Sequence, residues 1–195
     1  MRTGEIKRET LETNINLRLD LDSSGTGEID TGVGFLDHML TLFSRHGNFN
    51  LSVKCIGDIK VDDHHSVEDI GICLGEAFKS ALGDMKGITR YADRIIPMDE
   101  ALVLCAVDIS GRAFLSCSLD IPSKKVGAFD TELITEFLSA FVRTSQITLH
   151  IKQLSGDNSH HILECCFKAL GKTLSDAAAI DAKNADKVPS TKGVL

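Results

Sequence analysis

The chain switches between two hydrophobic periods, and the switches fall at polar turns. Residues 13–21, Thr-Asn-Ile-Asn-Leu-Arg-Leu-Asp-Leu, place an apolar side chain at every second position, which predicts a half-buried strand. Ser23-Ser24-Gly25-Thr26-Gly27 predicts a turn or flexible loop. From Gly34 to His46, Phe35, Leu36, Met39, Leu40, Leu42 and Phe43 recur at helical spacing. Asn50 to Ile56 returns to alternation. Between His65 and Leu82, the residues Val67, Ile70, Leu74, Ala77, Phe78 and Ala81 make the apolar stripe of an amphipathic helix.

A second series repeats the first. Leu102–Ile109 and Ala113–Ile121 predict strands around a Ser110-Gly111-Arg112 turn. Thr131–Arg143 predicts a helix, Ile147–Gln153 a strand and His161–Ala179 a long helix. The polar end from Asp186 to Leu195, with Pro189 and Gly193, predicts an extended, weakly structured tail. The order helix, strand, loop, helix thus occurs twice, over 34–83 and 131–179. We expect an internal duplication: half-domains at 1–86 and 87–185, then a tail at 186–195. Each half should carry a mostly antiparallel sheet with helices on one face. No Gly-rich nucleotide loop argues for a Rossmann fold.

Composition narrows the setting. With 43% hydrophobic and 25% charged residues, the 195-residue chain has material for a proper core. A net charge of -7 argues against nucleic-acid binding but leaves room for a local basic pocket. Lys7, Arg8, Glu9 and Glu12 interrupt any apolar leader, and no stretch approaches a membrane span, so no membrane partner is expected. Cys55, Cys73, Cys105, Cys117, Cys165 and Cys166 form no CxxC pair and read as reduced core thiols of a cytoplasmic protein.

The chemistry concentrates in a doubled motif. His64-His65-Ser66-Val67-Glu68 is echoed 96 residues later by His160-His161-Ile162-Leu163-Glu164, and the two copies hold four of the seven histidines. Each sits at a predicted helix start. Neighbouring histidines on a helix diverge by about 100°, so they serve different ions, whereas His65 and Glu68 at i, i+3 share a face. A further candidate lies upstream of each copy: His38, 26 residues before His64, and Glu136, 24 residues before His160. All these ligands are nitrogen or oxygen, which suits manganese, iron or zinc, and manganese if coordination is six-fold. The plain alternative is that the histidine pairs cap helices. Asp63-His64-His65 also spells one phosphoesterase motif, although Asp20 and Asp22 match poorly the aspartate-rich segment which that family needs. Arg90, Arg112, Lys168 and Lys192, the last within Pro189-Ser190-Thr191-Lys192-Gly193, lie on segments near these elements and suit a phosphorylated ligand. Glu12, Asp99 and Glu100 are carboxylates without a decisive local signal.

Gly34-Phe35-Leu36-Asp37-His38-Met39, Asp62-Asp63-His64-His65-Ser66-Val67-Glu68-Asp69, Asn158-Ser159-His160-His161-Ile162-Leu163-Glu164 and the Pro-Ser-Thr-Lys-Gly tail together resemble the imidazoleglycerol-phosphate dehydratase family over essentially the whole chain. The resemblance implies an α+β fold. Its two halves, similar to the second domain of ribosomal protein S5, would each have a four-stranded, mostly antiparallel sheet with helices on one face. It implies two manganese ions per active site and an assembly of twenty-four chains built from trimers, with active sites shared between subunits. The reaction would convert imidazole glycerol phosphate to imidazole acetol phosphate plus water, a step of histidine biosynthesis. One ion would be held by His38, His65, Glu68 and His161, the other by His64, His160, Glu164 and Glu136, where many members have histidine. Phosphate contacts carry over to Arg90, Arg112, Lys168, Ser190 and Lys192, a substrate-side carboxylate to Glu12, and a substrate-contacting helix end to His46. The same ligands other than Glu136 would contact the substrate, and the tail would close over it.

Such chemistry explains the ligand set. The reaction removes a hydroxyl and a carbon-bound proton with no neighbouring carbonyl, so the imidazole is the only electron sink. Two cations would hold the ring as imidazolate. Glu12, or less favourably Asp99, would move protons. A metal-stabilised storage assembly and a dinuclear phosphoesterase are the competing readings.

Overall fold

Both halves of the chain fold on one plan. The computed structural model describes residues 1–25 and 27–195, so Thr26 of the predicted Ser23–Gly27 turn lies outside the described residues. The first half contains β1 (Thr3–Glu9), β2 (Thr13–Asp20), β3 (Ile29–Asp30), α1 (Gly34–Gly47), β4 (Asn50–Gly57) and α2 (His64–Leu82). The second contains β5 (Tyr91–Met98), β6 (Ala101–Asp108), β7 (Phe114–Ser118), β8 (Lys125–Val126), β9 (Phe129–Asp130), α3 (Leu133–Ser145), β10 (Thr148–Ser155) and α4 (Ser159–Ala178). The sheets run β1-β2-β4-β3 and β5-β6-β10-β7, with the small β8–β9 hairpin inserted in the second half. In each sheet the last strand is parallel to its neighbour and the other pairs are antiparallel. Strand order, strand direction and helix placement therefore repeat, and the architecture is α+β.

Three expectations change. The strands on either side of Ser110-Gly111-Arg112 do not form a hairpin: β10 lies between β6 and β7. A strand paired on both edges has to be covered by core. β10 supplies fully buried Leu149 and Ile151, whereas β7 has no buried residue and takes the edge. Second, β1 and β5 are strands that alternation did not reveal. Both are edge strands with charges at consecutive positions (Lys7, Arg8, Glu9; Asp93, Arg94), and β5 tolerates Pro97 at the edge. Third, the tail is not extended. It is a series of turns docked on the second half, where Pro189 O accepts from Arg90 Nη1 (2.7 Å) and Lys187 O from Gly87 N (2.9 Å).

The helices cross between halves: α1 packs on α4 and α2 on α3, so one continuous core serves both repeats. Each crossing is made close by a glycine. A Cβ on Gly171 of α4 would meet Phe43 O of α1 at under 3.0 Å, and one on Gly75 of α2 would meet Phe141 O of α3 in the same way. These are equivalent positions, because Gly75 and Gly171 lie 96 residues apart and Phe43 and Phe141 lie 98 apart. α1 and α3 also end alike, on left-handed Asn48 (φ 53°) and Gln146 (φ 57°). Counting back ten residues from each cap reaches His38 and Glu136, which therefore occupy the same place in the two repeats.

Candidate active site

The doubled motif opens α2 and α4. His64 N donates to Asp62 Oδ1 (2.9 Å) and His160 N donates to Asn158 Oδ1 (3.0 Å), so side chains 96 residues apart accept from the first turns of the two helices. Asn158 also accepts from His161 N. Asn158 is the N-cap of α4, and Asp62 accepts from the first backbone N–H of α2, so the imidazoles are free of that duty. Adjacent rings stand 6.3 Å apart in both pairs, at interplanar angles of 76° and 89°. The divergence is that of consecutive side chains leaving a helix.

The α1–α4 crossing brings His38, His160 and Glu164 together. Glu164 Oε1 lies 2.8 Å from His38 Nε2 and 3.0 Å from His160 Nε2, and Lys168 Nζ donates to Oε2 at 2.6 Å. Burial works against ionisation of Glu164, but Lys168, His38 and His160 outweigh it and hold the carboxyl down to about 2. The equivalent group in the other repeat is Glu136, His64 and Glu68, and it is more open. His64 Nε2 is 4.0 Å from Glu68 Oε2, Arg143 Nη2 donates to Glu68 Oε1 (3.1 Å), and Glu136 is exposed.

The second histidine of each motif is placed differently. Ionised carboxylates only accept, so each nearby ring Nδ1–H must donate. His65 Nδ1 donates to Asp58 Oδ2 (3.0 Å) while its Nε2 faces Glu12 Oε1 at 3.7 Å. His161 Nδ1 donates to Glu100 Oε2 (2.8 Å) while its Nε2 faces Asp99 Oδ2 at 4.0 Å. These bonds raise the pKa of both imidazoles, and the His161 bond draws Glu100 down to about 2. Among the described residues, two groups of three candidate ligands gather within 4.8 Å: His38–His160–Glu164 and Asp99–Glu100–His161. The four ligands expected for the first ion are thus not gathered within one chain. His38 lies with Glu164, His161 with Glu100, and His65 with Asp58.

The predicted phosphate contacts form a separate cluster. Arg90 Nε donates to Asp108 Oδ1 (2.8 Å), Arg112 Nη2 approaches Asp108 Oδ2 (3.6 Å), and Arg90 Nη1 ties down Pro189, beside Ser190 and Lys192. Lys192 N donates to Ser190 Oγ (3.2 Å). Sequence proximity to the histidines misled here. Arg90 N donates to Ala177 O at the far end of α4, 17 residues from His160 and so about 25 Å along the axis. Lys168 stays with Glu164 at the His160 end of α4. His46, in the last turn of α1, is half-buried and outside both ligand trios. Burial, then Lys168 and Lys172, push its pKa down. Asp58 carried no sequence signal, because it sits in a loop seven residues before the ring it holds.

Comparison with known proteins gives this geometry a family. Residues 31–174 match the family described as imidazoleglycerol-phosphate dehydratase. Enzymes of that description from Jannaschia sp. (strain CCS1) and Synechococcus sp. (strain WH7803) are 51% and 55% identical over all 195 residues, covering 100% and 96% of their own lengths. The crystal structure of the Staphylococcus aureus subsp. aureus N315 dehydratase superposes with a TM-score of 0.84 at 40% identity, over 92% of this chain and 99% of that one. The Pyrococcus furiosus structure also gives 0.84, at 39% identity, over 97% and 100%. The chain belongs to the imidazoleglycerol-phosphate dehydratase family. It is a lyase that dehydrates imidazole glycerol phosphate in histidine biosynthesis.

Proposed function

We propose that this dehydration is carried out in sites shared between chains, each holding two manganese ions. The observation that supports sharing is the separation along α4. The ligand trio His38–His160–Glu164 and the Arg90–Arg112–tail cluster lie about 25 Å apart, whereas one small substrate carries both an imidazole and a phosphate. A neighbouring chain has to bring its Arg90, Arg112, Ser190 and Lys192 to the histidine end. The outer face of the second sheet offers a surface for such contact. Its row Ile95–Leu104–Lys152 is largely apolar and flanked by exposed Tyr91 and Phe114, while the equivalent row of the first sheet is Lys7–Asn16–Lys54. We assign this face to the trimers of the twenty-four-chain assembly, working in the cytoplasm.

The donors suit manganese: imidazole nitrogens and carboxylates, with no cysteine in either ligand trio among the described residues. One ion falls to His38, His65, Glu68 and His161, the other to His64, His160, Glu164 and Glu136, with chains pooling their ligands. When bound, the ions supply positive charge to the substrate imidazole. Arg90, Arg112, Ser190 and Lys192 bind the phosphate, and Lys168, anchored on Glu164, adds a cation beside the ligands. Glu12 stands exposed at 3.7 Å from His65 Nε2, at the right edge to take a proton from substrate, and Asp99 is its counterpart beside His161. The half-buried His46 contacts the substrate from the end of α1.

Subunit mixing tests the shared site. Arg112→Ala and His160→Ala are expected to be inactive separately. Reassembled together with manganese, they should recover about a quarter of the parent activity, the share of sites that unite two intact ends. No recovery would overturn sharing. Activity that survives complete chelation would overturn the metal.

A further inference from the structure

The two histidines of each motif differ in what holds their far ring nitrogen. His65 and His161 each give Nδ1–H to a carboxylate, Asp58 at 3.0 Å and Glu100 at 2.8 Å. Among the described residues, His64 and His160 make no such bond, and His160 meets Glu164 through Nε2 instead. The duplication does not supply this likeness. Asp58 follows β4, whereas Glu100 stands in the β5–β6 turn, where the equivalent residue of the first half is Glu12. The two halves thus reach the same bond from unrelated positions. A carboxylate on Nδ1 fixes the tautomer, fixes the ring's orientation and leaves the Nε2 lone pair facing outward, which is how metal-binding histidines are commonly braced.

We infer that Asp58 and Glu100 are positioning residues for His65 and His161, and that they make the ion shared by these two histidines the more tightly held of the pair. The inference rests on the two-ion reading proposed above. On this inference each carboxylate works from behind the ring, on Nδ1, while Nε2 is left for the ion. Each acts by presenting one imidazole already turned and singly protonated at the correct nitrogen. The ion assigned to His64 and His160 lacks that bracing.

The test is a Mn(II) titration of the assembled full-length protein, with free Mn(II) followed by its EPR signal, so that each class of bound ion yields its own Kd and number. In Asp58→Ala and in Glu100→Ala, one ion per site should bind about 10- to 100-fold more weakly and the other should keep the parent value. Asp58→Asn and Glu100→Gln retain an acceptor oxygen and should recover part of the loss. They also report on the inference if an alanine variant fails to fold. Asp84→Asn, far away beside Lys86, should change neither ion. Equal weakening of both ions would give Asp58 and Glu100 a merely structural role and overturn the inference, as would no weakening at all. Failure of the parent protein to bind two ions would instead sink the two-ion reading, and this inference with it.

Discussion

Gly171→Ala turns a favourable substitution into an unfavourable one, and the α1–α4 crossing sets the sign. In the interior of an exposed helix, glycine to alanine gains about 1 kcal/mol. Gly171 is buried, and its new Cβ would meet Phe43 O at under 3.0 Å where ordinary contact begins at 3.4 Å. The obstacle is a backbone carbonyl, which has no rotamer to escape into. The helices must part by more than 0.4 Å, and overpacking of this kind costs about 1–3 kcal/mol. Offset against the propensity gain, the net loss should be up to about 2 kcal/mol. The displacement also moves His38 on α1 away from Glu164 on α4, across a contact of 2.8 Å, so manganese affinity should drop together with stability. Urea unfolding at fixed protein concentration, with Mn(II) titration alongside, reads both effects. Gly34→Ala, whose Cβ would meet nothing within 4 Å, is the control. A Gly171→Ala protein more stable than its parent would refute the close-packing argument.

Other outcomes follow from the same geometry. Glu136→Ala should weaken one metal site and leave the fold intact, because the side chain is exposed on α3; unchanged metal stoichiometry would remove Glu136 from the ligand set. Manganese affinity should fall in acid by up to about tenfold per pH unit for each histidine that must lose a proton. The hydrogen bonds that His65 and His161 donate to Asp58 and Glu100 raise both imidazoles above 6.5, so protonation favours the metal-free fold below that value. That benefit is lost as the pH rises through the raised pKa, where the metal takes over; affinity independent of pH between 5.5 and 8.5 would contradict this assignment of ligands. Lys168→Met removes the ammonium at 2.6 Å from Glu164. Glu164 is held down to about 2, so its contribution is complete above 4.5 and lost as pH falls toward 2. The variant should move that loss to higher pH, read as unfolding midpoint against pH.

Much of this protein is legible in its sequence, because local periodicity and local motifs report local structure. The apolar spacing found α1, α2, α3 and α4 to within a few residues, since a 3.6-residue stripe needs only a core to face. The 96-residue offset of the two His-His-x-x-Glu motifs revealed the duplication and the helix starts. The donor types of the two motifs, imidazole nitrogen and carboxylate oxygen, were also plain from the residues themselves.

Tertiary structure decided the rest, because it depends on what long-range packing brings together. β10 moved between β6 and β7, since only it could be buried on both edges. β1 and β5 escaped notice because edge strands need no alternation. The sequence could not show that α1 crosses α4, a contact admitted by a glycine on one helix and a backbone carbonyl on the other. That crossing sets His38 beside His160 and Glu164 rather than beside His65. Nor could it show that Asp58 and Glu100 accept from the second histidines, or that Arg90 sits a full helix length from His160. Residue types set which chemistry is possible here, and the crossings of helices and chains set where it can assemble.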